Sequence, residues 1–285
     1  MMRRRNGLLI ICAFLLVSIV FPNPAHADVR FQTIPSEYDA ACPEHGEVHS
    51  LYYKDMEEIL VWTPYSYNPA EPYEVVLLLH GDGGDNSSWI RKVYNLNGRT
   101  LVCRNLYDWL AYENRTKPFL VASITNDIDH PEEMIENIKA AFSFLATHFS
   151  TYAASGNPED IIEARRHFTL GGLSRGGIFS YLFMSREVSY AANYICLSAG
   201  GDLTAVTAML ETMPENTLSF YFVGVGVGDN LFWWRSKNAY DAISPYAEKA
   251  EFVEYGYQHD WLTWSNAIYD ALTDLLARPC AEEVA

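Results

Sequence analysis

The sequence predicts an α/β domain in which a mostly parallel sheet is covered by helices on both faces. Three observations predict it. From Tyr73 onward, apolar runs of strand length alternate with longer stretches at helical spacing, the order that builds strand–helix–strand units. Runs such as Val75-Val76-Leu77-Leu78-Leu79 and Leu218 to Val225 are continuously apolar, as strands buried on both faces are. Several end in glycine-rich turns, at His80-Gly81-Asp82-Gly83-Gly84, Gly171-Gly172-Leu173-Ser174-Arg175-Gly176-Gly177 and Gly224-Val225-Gly226-Val227-Gly228-Asp229. Open sheets of this class bind ligands at the carboxyl ends of their strands.

The first residues stand apart from that domain. Arg3, Arg4 and Arg5 precede the apolar run Leu8 to Phe21, and Ala25-His26-Ala27 supplies a small-x-small cleavage pattern. This reads as a signal peptide over residues 1–27, with an apolar run short of the ~20 residues a membrane span needs. A secreted, membrane-free single domain over residues 28–285 is expected. The net charge of −16 becomes −19 once the three arginines are gone, which disfavours nucleic acid and anionic membranes as partners. Cys42, Cys103, Cys196 and Cys280 remain after cleavage, enough for two disulfides. Termini often lie close in a domain, so a Cys42–Cys280 link is the expected one. No Cys/His cluster has zinc spacing, so no metal is expected. Nothing in the sequence sets an oligomeric state.

In chain order, Asp28 to Glu44 is an irregular entry and Val48 to Thr63 an antiparallel pair of strands. The buried strand Tyr73 to Leu79 leads into the loop at His80. A helix is expected over Thr100 to Tyr112, a strand over Phe119 to Ile124 and an amphipathic helix over Glu132 to Ser150. Pro158 opens a short helix, and the strand beginning at His167 passes through Ser174 into another. A strand follows over Tyr194 to Ala199, then a helix over Leu203 to Glu211 and a strand over Leu218 to Val225. The last elements are a helix over Ala239 to Ala250, a strand over Glu251 to Tyr255 and a helix over Trp261 to Ala277.

The chemistry centres on Gly172-x-Ser174-x-Gly176. A serine on a sharp strand-to-helix turn needs small neighbours so that strand and helix can approach, and the helix start aims N–H groups at an oxyanion. The serine needs a base, and the base needs a carboxylate. His259 is the only histidine after Ser174, in a loop between the last strand and the last helix. Asp229 ends a buried strand between them. Asp202 ends the strand directly after the serine turn, and Asp260 adjoins His259, where neighbouring side chains point apart; both are weaker candidates. His80 and Asp82 invite a metal reading, but a histidine in such a turn ordinarily packs and hydrogen-bonds inside.

Taken together, these residues resemble the α/β-hydrolase esterases of carbohydrate esterase family 1, particularly the secreted clostridial feruloyl esterase domains that accompany xylanases. The residues that carry the resemblance are Cys42 to Val48 (CPEHGEV), Tyr65 to Pro69 (YSYNP), Leu78 to Gly84 (LLHGDGG) with Trp89, Gly172 to Gly177, Gly226 to Asp229, and His259-Asp260-Trp261 with Trp264. They span residues 42–277. The resemblance implies an α/β-hydrolase fold and a triad of Ser174, Asp229 and His259. It also implies an oxyanion hole from the backbone N–H groups of Asp82 and Arg175, and no cofactor. Its implied partner is an acylated polysaccharide or small ester, with feruloyl groups on xylan foremost. Acetyl esterase, siderophore esterase, acyltransferase or non-catalytic carbohydrate binding are the alternatives.

Two departures stand beside the expected site. The family often has methionine where Arg175 stands and glycine where Asp82 stands, and these two side chains are able to face each other as an ion pair. Trp89, Trp233, Trp234 and Trp261 follow the predicted site residues in sequence and are candidates to hold a feruloyl ring or a sugar.

Overall fold

A computed structural model describes residues 28–278 apart from 55–56, 97 and 127–129. The expected signal peptide and Cys280 lie outside the described residues. One eight-stranded sheet has the order β1-β2-β6-β3-β7-β8-β9-β10. Its strands are β1 (Glu47–Lys54), β2 (Glu57–Thr63), β3 (Glu74–Leu79), β6 (Phe119–Ile124), β7 (Phe168–Leu173), β8 (Asn193–Leu197), β9 (Leu218–Gly226) and β10 (Ala247–Tyr255). β1 and β2 run antiparallel at one edge, and β6 through β10 pair in parallel.

The burial pattern explains why the parallel strands read as unbroken apolar runs. Every residue of β3, β6, β7 and β8 is buried. Along β3, Val75, Leu77 and Leu79 join the core under α2 (Pro131–His148), α4 (Arg175–Glu187), α5 (Leu203–Leu210) and α6 (Trp233–Ile243). Val76 and Leu78 point the other way, under α1 (Cys103–Tyr112) and α7 (Trp261–Leu275). Alternate residues therefore serve two cores, as the pleat requires. A short helix, α3 (Pro158–Glu163), completes the first layer.

Two expected elements differ. Thr100 to Val102 are not the start of a helix. They belong to β5 (Arg99–Val102), which pairs with β4 (Val93–Leu96) as an antiparallel hairpin, and α1 begins at Cys103. Asn97-Gly98 between alternating residues is a strong two-residue hairpin signal, with Gly98 at φ +83°. The expected helix over Ala239 to Ala250 instead starts at Trp233 and stops at Ile243. Pro245 sits in a 3-10 turn over Ser244–Tyr246, and β10 starts at Ala247. Cys42, Cys103 and Cys196 are free, buried thiols. The expected Cys42–Cys280 link falls on Cys280, which lies outside the described residues. Burial pushes the Cys103 and Cys196 thiols up to about 12, so both are kept protonated.

β6 lies on one side of β3 and β7 on the other. The sheet therefore has its switch point between β3 and β7, where connections leave in opposite directions and their carboxyl-end loops open a crevice.

Candidate active site

Ser174 sits at that switch point, between the end of β7 and the start of α4, with φ 51° and ψ −115°. A non-glycine residue there costs about 1–3 kcal/mol and persists only where its surroundings impose it. The surroundings are glycines and a hydrogen bond. A Cβ on Gly172 would lie 2.6 Å from the carbonyl carbon of Gly176 and 2.7 Å from the oxygen of Leu79, and one on Gly176 would collide with the Leu79 and His80 carbonyls. Only glycine lets β7, α4 and β3 approach this closely. The Ser174 N–H donates to Leu197 O at 2.8 Å, tying the turn to β8.

His259 Nδ1–H donates to Asp229 Oδ2 at 2.7 Å, and His259 Nε2 accepts from Ser174 Oγ at 3.0 Å. A carboxylate only accepts, so the pairing places the proton on Nδ1 and leaves Nε2 facing the serine. Asp229 is 2% exposed and its other oxygen accepts from Phe232 N–H at 3.0 Å, so the carboxylate is held from both sides. The imidazole is gripped by rings. Phe232 stacks on it at 5.0 Å and 18°, and Trp264 meets it edge-on at 4.9 Å.

Opposite the serine, the loop after β3 carries Asp82. The N–H groups of Asp82 and Arg175 donate to no turn, loop or cap carbonyl among the described residues. Arg175 is the first residue of α4, where backbone donors lack intrahelical partners. The Arg175 guanidinium grips Asp82 with two contacts, Nε to Oδ1 at 3.0 Å and Nη2 to Oδ2 at 3.2 Å, joining the two loops across the serine. His80 is the pivot of its loop. Its Nδ1–H donates to Gly81 O at 2.7 Å and its Nε2 accepts the Asn126 N–H at 2.9 Å. Both ring nitrogens are used, and burial lowers its pKa, which keeps it neutral. The described residues hold no cluster of three or more His, Cys, Asp or Glu suited to a metal ion.

A cleft of about 570 Å³ opens over Ser174 and His259, with Asp82, Arg175 and Ile178 on its lining. One wall is aromatic: Tyr94 stacks on Trp261 at 3.9 Å and 22°, and both line the cleft.

No protein-family model matches the sequence. Endo-1,4-beta-xylanase Y of Acetivibrio thermocellus is 25% identical over 272 residues, covering 86% of this chain and 24% of the xylanase. The chain thus spans about a quarter of that relative's length. Among solved structures, a mutant feruloyl esterase module from Clostridium thermocellum, complexed with sinapinate, superposes with a TM-score of 0.75 at 20% identity, over 87% of this chain and 94% of that one. The fold is that of the α/β-hydrolase esterases. A family 1 ferulic acid esterase from Anaeromyces mucronatus, in complex with ferulic acid, gives 0.62 at 15% identity over 86% and 97%. The enterobactin esterase of Shigella flexneri gives 0.54 at 14% identity over 82% and 60%.

Within this fold, Ser174, Asp229 and His259 meet at hydrogen-bonding distance, and Asp202 and Asp260 take other work. Asp202 caps α5 through Ala205 N–H, and Asp260 caps α7 through the Leu262 and Thr263 N–H groups. Of the four tryptophans expected at the substrate, Trp261 lines the cleft. Trp89 is fully buried behind it, its indole N–H bonded to Leu79 O at 3.0 Å. Trp233 and Trp234 do not line the cleft; the Trp233 indole donates to Glu254 at 2.6 Å. Trp264, which also follows His259 in sequence, lines the cleft, and the remaining places fall to residues the sequence reading missed: Tyr94, Phe232 and Arg235. The hairpin signal at Asn97-Gly98 would have placed Tyr94 near the loop after β3. Phe232 and Arg235 lie within one or two helical turns of Asp229 but carry no motif of their own.

Proposed function

We propose that the chain is a secreted serine carboxylic-ester hydrolase that removes feruloyl or related aromatic acyl groups from plant cell-wall polysaccharide. The observation that carries this reading is the hydrogen-bonded line Asp229–His259–Ser174 opening into a cleft with an aromatic wall. Ser174 Oγ attacks the ester carbonyl as His259 Nε2 takes its proton, and the buried Asp229 carboxylate stabilises the imidazolium. The N–H groups of Asp82 and Arg175 receive the oxyanion. His259 returns the proton to the leaving alcohol, and water then enters by the same steps to release the acid.

The sequence kinship with a xylanase and the fold shared with feruloyl esterases support the substrate class. Export rests on the sequence of residues 1–27; among the described residues no helix is long and apolar enough to cross a membrane. The test is hydrolysis of methyl ferulate and p-nitrophenyl acetate by wild type and Ser174→Ala. The expected outcome is turnover of both by the wild type and a loss of about 10⁴-fold or more in the variant. Equal rates in the two proteins would remove Ser174 as nucleophile, and turnover of acetate without ferulate would make the chain an acetyl esterase.

A further inference from the structure

The cleft's charge runs against the rest of the chain. The sequence has 20 Lys and Arg against 36 Asp and Glu, yet the cleft is lined by Lys92, Arg175 and Arg235 against Asp82 alone. Arg175 is already engaged by Asp82. Arg235 has no carboxylate at ion-pair distance among the described residues. Its guanidinium lies 5.5 Å over the Phe232 ring, whose other neighbour is the His259 imidazole. The cation and the base thus both lie against the Phe232 ring. It also stands where the catalytic cleft meets a second one of about 400 Å³, shared through Ile178 and Arg235 and continued by Gly200, Gly201, Leu203 and Asn238. Asp202, on the same lining, is occupied in capping α5.

The position is built. Ser236 Oγ donates to Ala199 O at 2.9 Å and accepts the Ala199 N–H at 3.2 Å, pinning the first turn of α6 to the loop after β8. A Cβ on Gly200 would come within 2.8 Å of the Arg235 Cβ, so the glycine lets that turn close. A planar guanidinium held over a ring and fixed at its root recognises a planar, bidentate anion better than a point charge does. On the esterase reading, a sugar chain that follows the second cleft away from Ser174 passes Ile178 and Arg235, which line both clefts.

We infer that Arg235 forms a carboxylate-binding subsite for a uronic-acid residue of the acylated polysaccharide, beside the ester and across the join of the two clefts. This rests on the esterase reading above and names its substrate more closely.

The test compares kcat/KM for a feruloylated xylo-oligosaccharide bearing one glucuronate with that for the same oligosaccharide without it. The wild-type ratio is expected at about two to five, the scale of one exposed charged pair. It falls toward one in Arg235→Ala, below one in Arg235→Glu, and to an intermediate value in Arg235→Lys, which keeps the charge but loses the fork. Raising NaCl from 50 to 500 mM shrinks the wild-type ratio toward that of Arg235→Ala. A wild-type ratio of one, or a ratio unchanged in Arg235→Glu, would overturn the subsite. If neither substrate is turned over, the esterase reading fails, and calorimetric binding of both oligosaccharides to Ser174→Ala still decides the subsite: equal affinity overturns it.

Discussion

Two turns of the sheet carry nearly the same five residues. Leu173-Ser174-Arg175-Gly176-Gly177 ends β7, and Leu197-Ser198-Ala199-Gly200-Gly201 ends its neighbour β8. Both serines have positive φ, 51° and 47°, and each N–H bonds the next strand, Ser174 to Leu197 O and Ser198 to Gly224 O. Yet the Ser198 hydroxyl is fully buried without a partner among the described residues, whereas Ser174 Oγ faces His259 in a cleft. The differences lie around the turn. Gly172 precedes Ser174 by two residues and lets α4 start at once, while Cys196 holds that place before Ser198 and α5 waits until Leu203. The second turn serves as a dock for α6 through Ser236. A strained serine at a strand end is therefore not a nucleophile by itself. It becomes a candidate when a helix begins on the next residue and a base reaches it from another loop.

The largest effect that separates the two turns is on rate. Asp229→Asn, which leaves the imidazole without its orienting anion, is expected to lower kcat for p-nitrophenyl acetate by about 10⁴-fold. Ser198→Ala, stripping an unpartnered hydroxyl, is expected to change kcat less than about threefold and stability by less than about 1 kcal/mol in chemical denaturation. Comparable losses in both variants would merge the two turns.

Next in size is packing at the residue two before each serine. Gly172→Ala drives a Cβ into backbone atoms of Gly176 and Leu79, and is expected to cost about 1–3 kcal/mol and to distort the turn. Cys196→Ala removes a buried sulfur and is expected to cost about 1 kcal/mol with activity retained. Urea unfolding and p-nitrophenyl acetate turnover on both variants measure this contrast.

The aromatic wall is a finer test. Tyr94→Ala is expected to raise KM for methyl ferulate about five- to tenfold and to leave the acetate ester nearly unaffected, because only the ring gains from the wall. The smallest effect is on pH dependence. His80 is buried and neutral, with its pKa below the ordinary 6.5. Above about pH 6.5 both folded and unfolded states are neutral at this group. As pH falls through that value the unfolded chain takes up the proton first and stability is lost. His80→Gln is expected to flatten the fall in Tm between pH 7 and pH 5.

The sheet was legible because its strands are buried on both faces and so write continuous apolar runs. The meeting of Ser174, Asp229 and His259 was legible because each ends a strand and strand ends share one rim. The hairpin β4–β5 escaped because Leu101 and Val102 also fit the helical spacing of α1. The cleft's walls escaped for a different reason: which aromatic ring reaches a cleft depends on contacts between distant segments. Trp89, next to a motif, is buried behind the wall, and Tyr94, outside every motif, lines it.

The most direct measurement is rapid-quench trapping of the acyl group from p-nitrophenyl acetate, followed by peptide mass mapping of both serine turns. The expected result is one acetyl group on the peptide containing Ser174, none on that containing Ser198, and no trapped species in Ser174→Ala. Acetyl found on Ser198, or turnover persisting in Ser174→Ala, would contradict the assignment of the nucleophile.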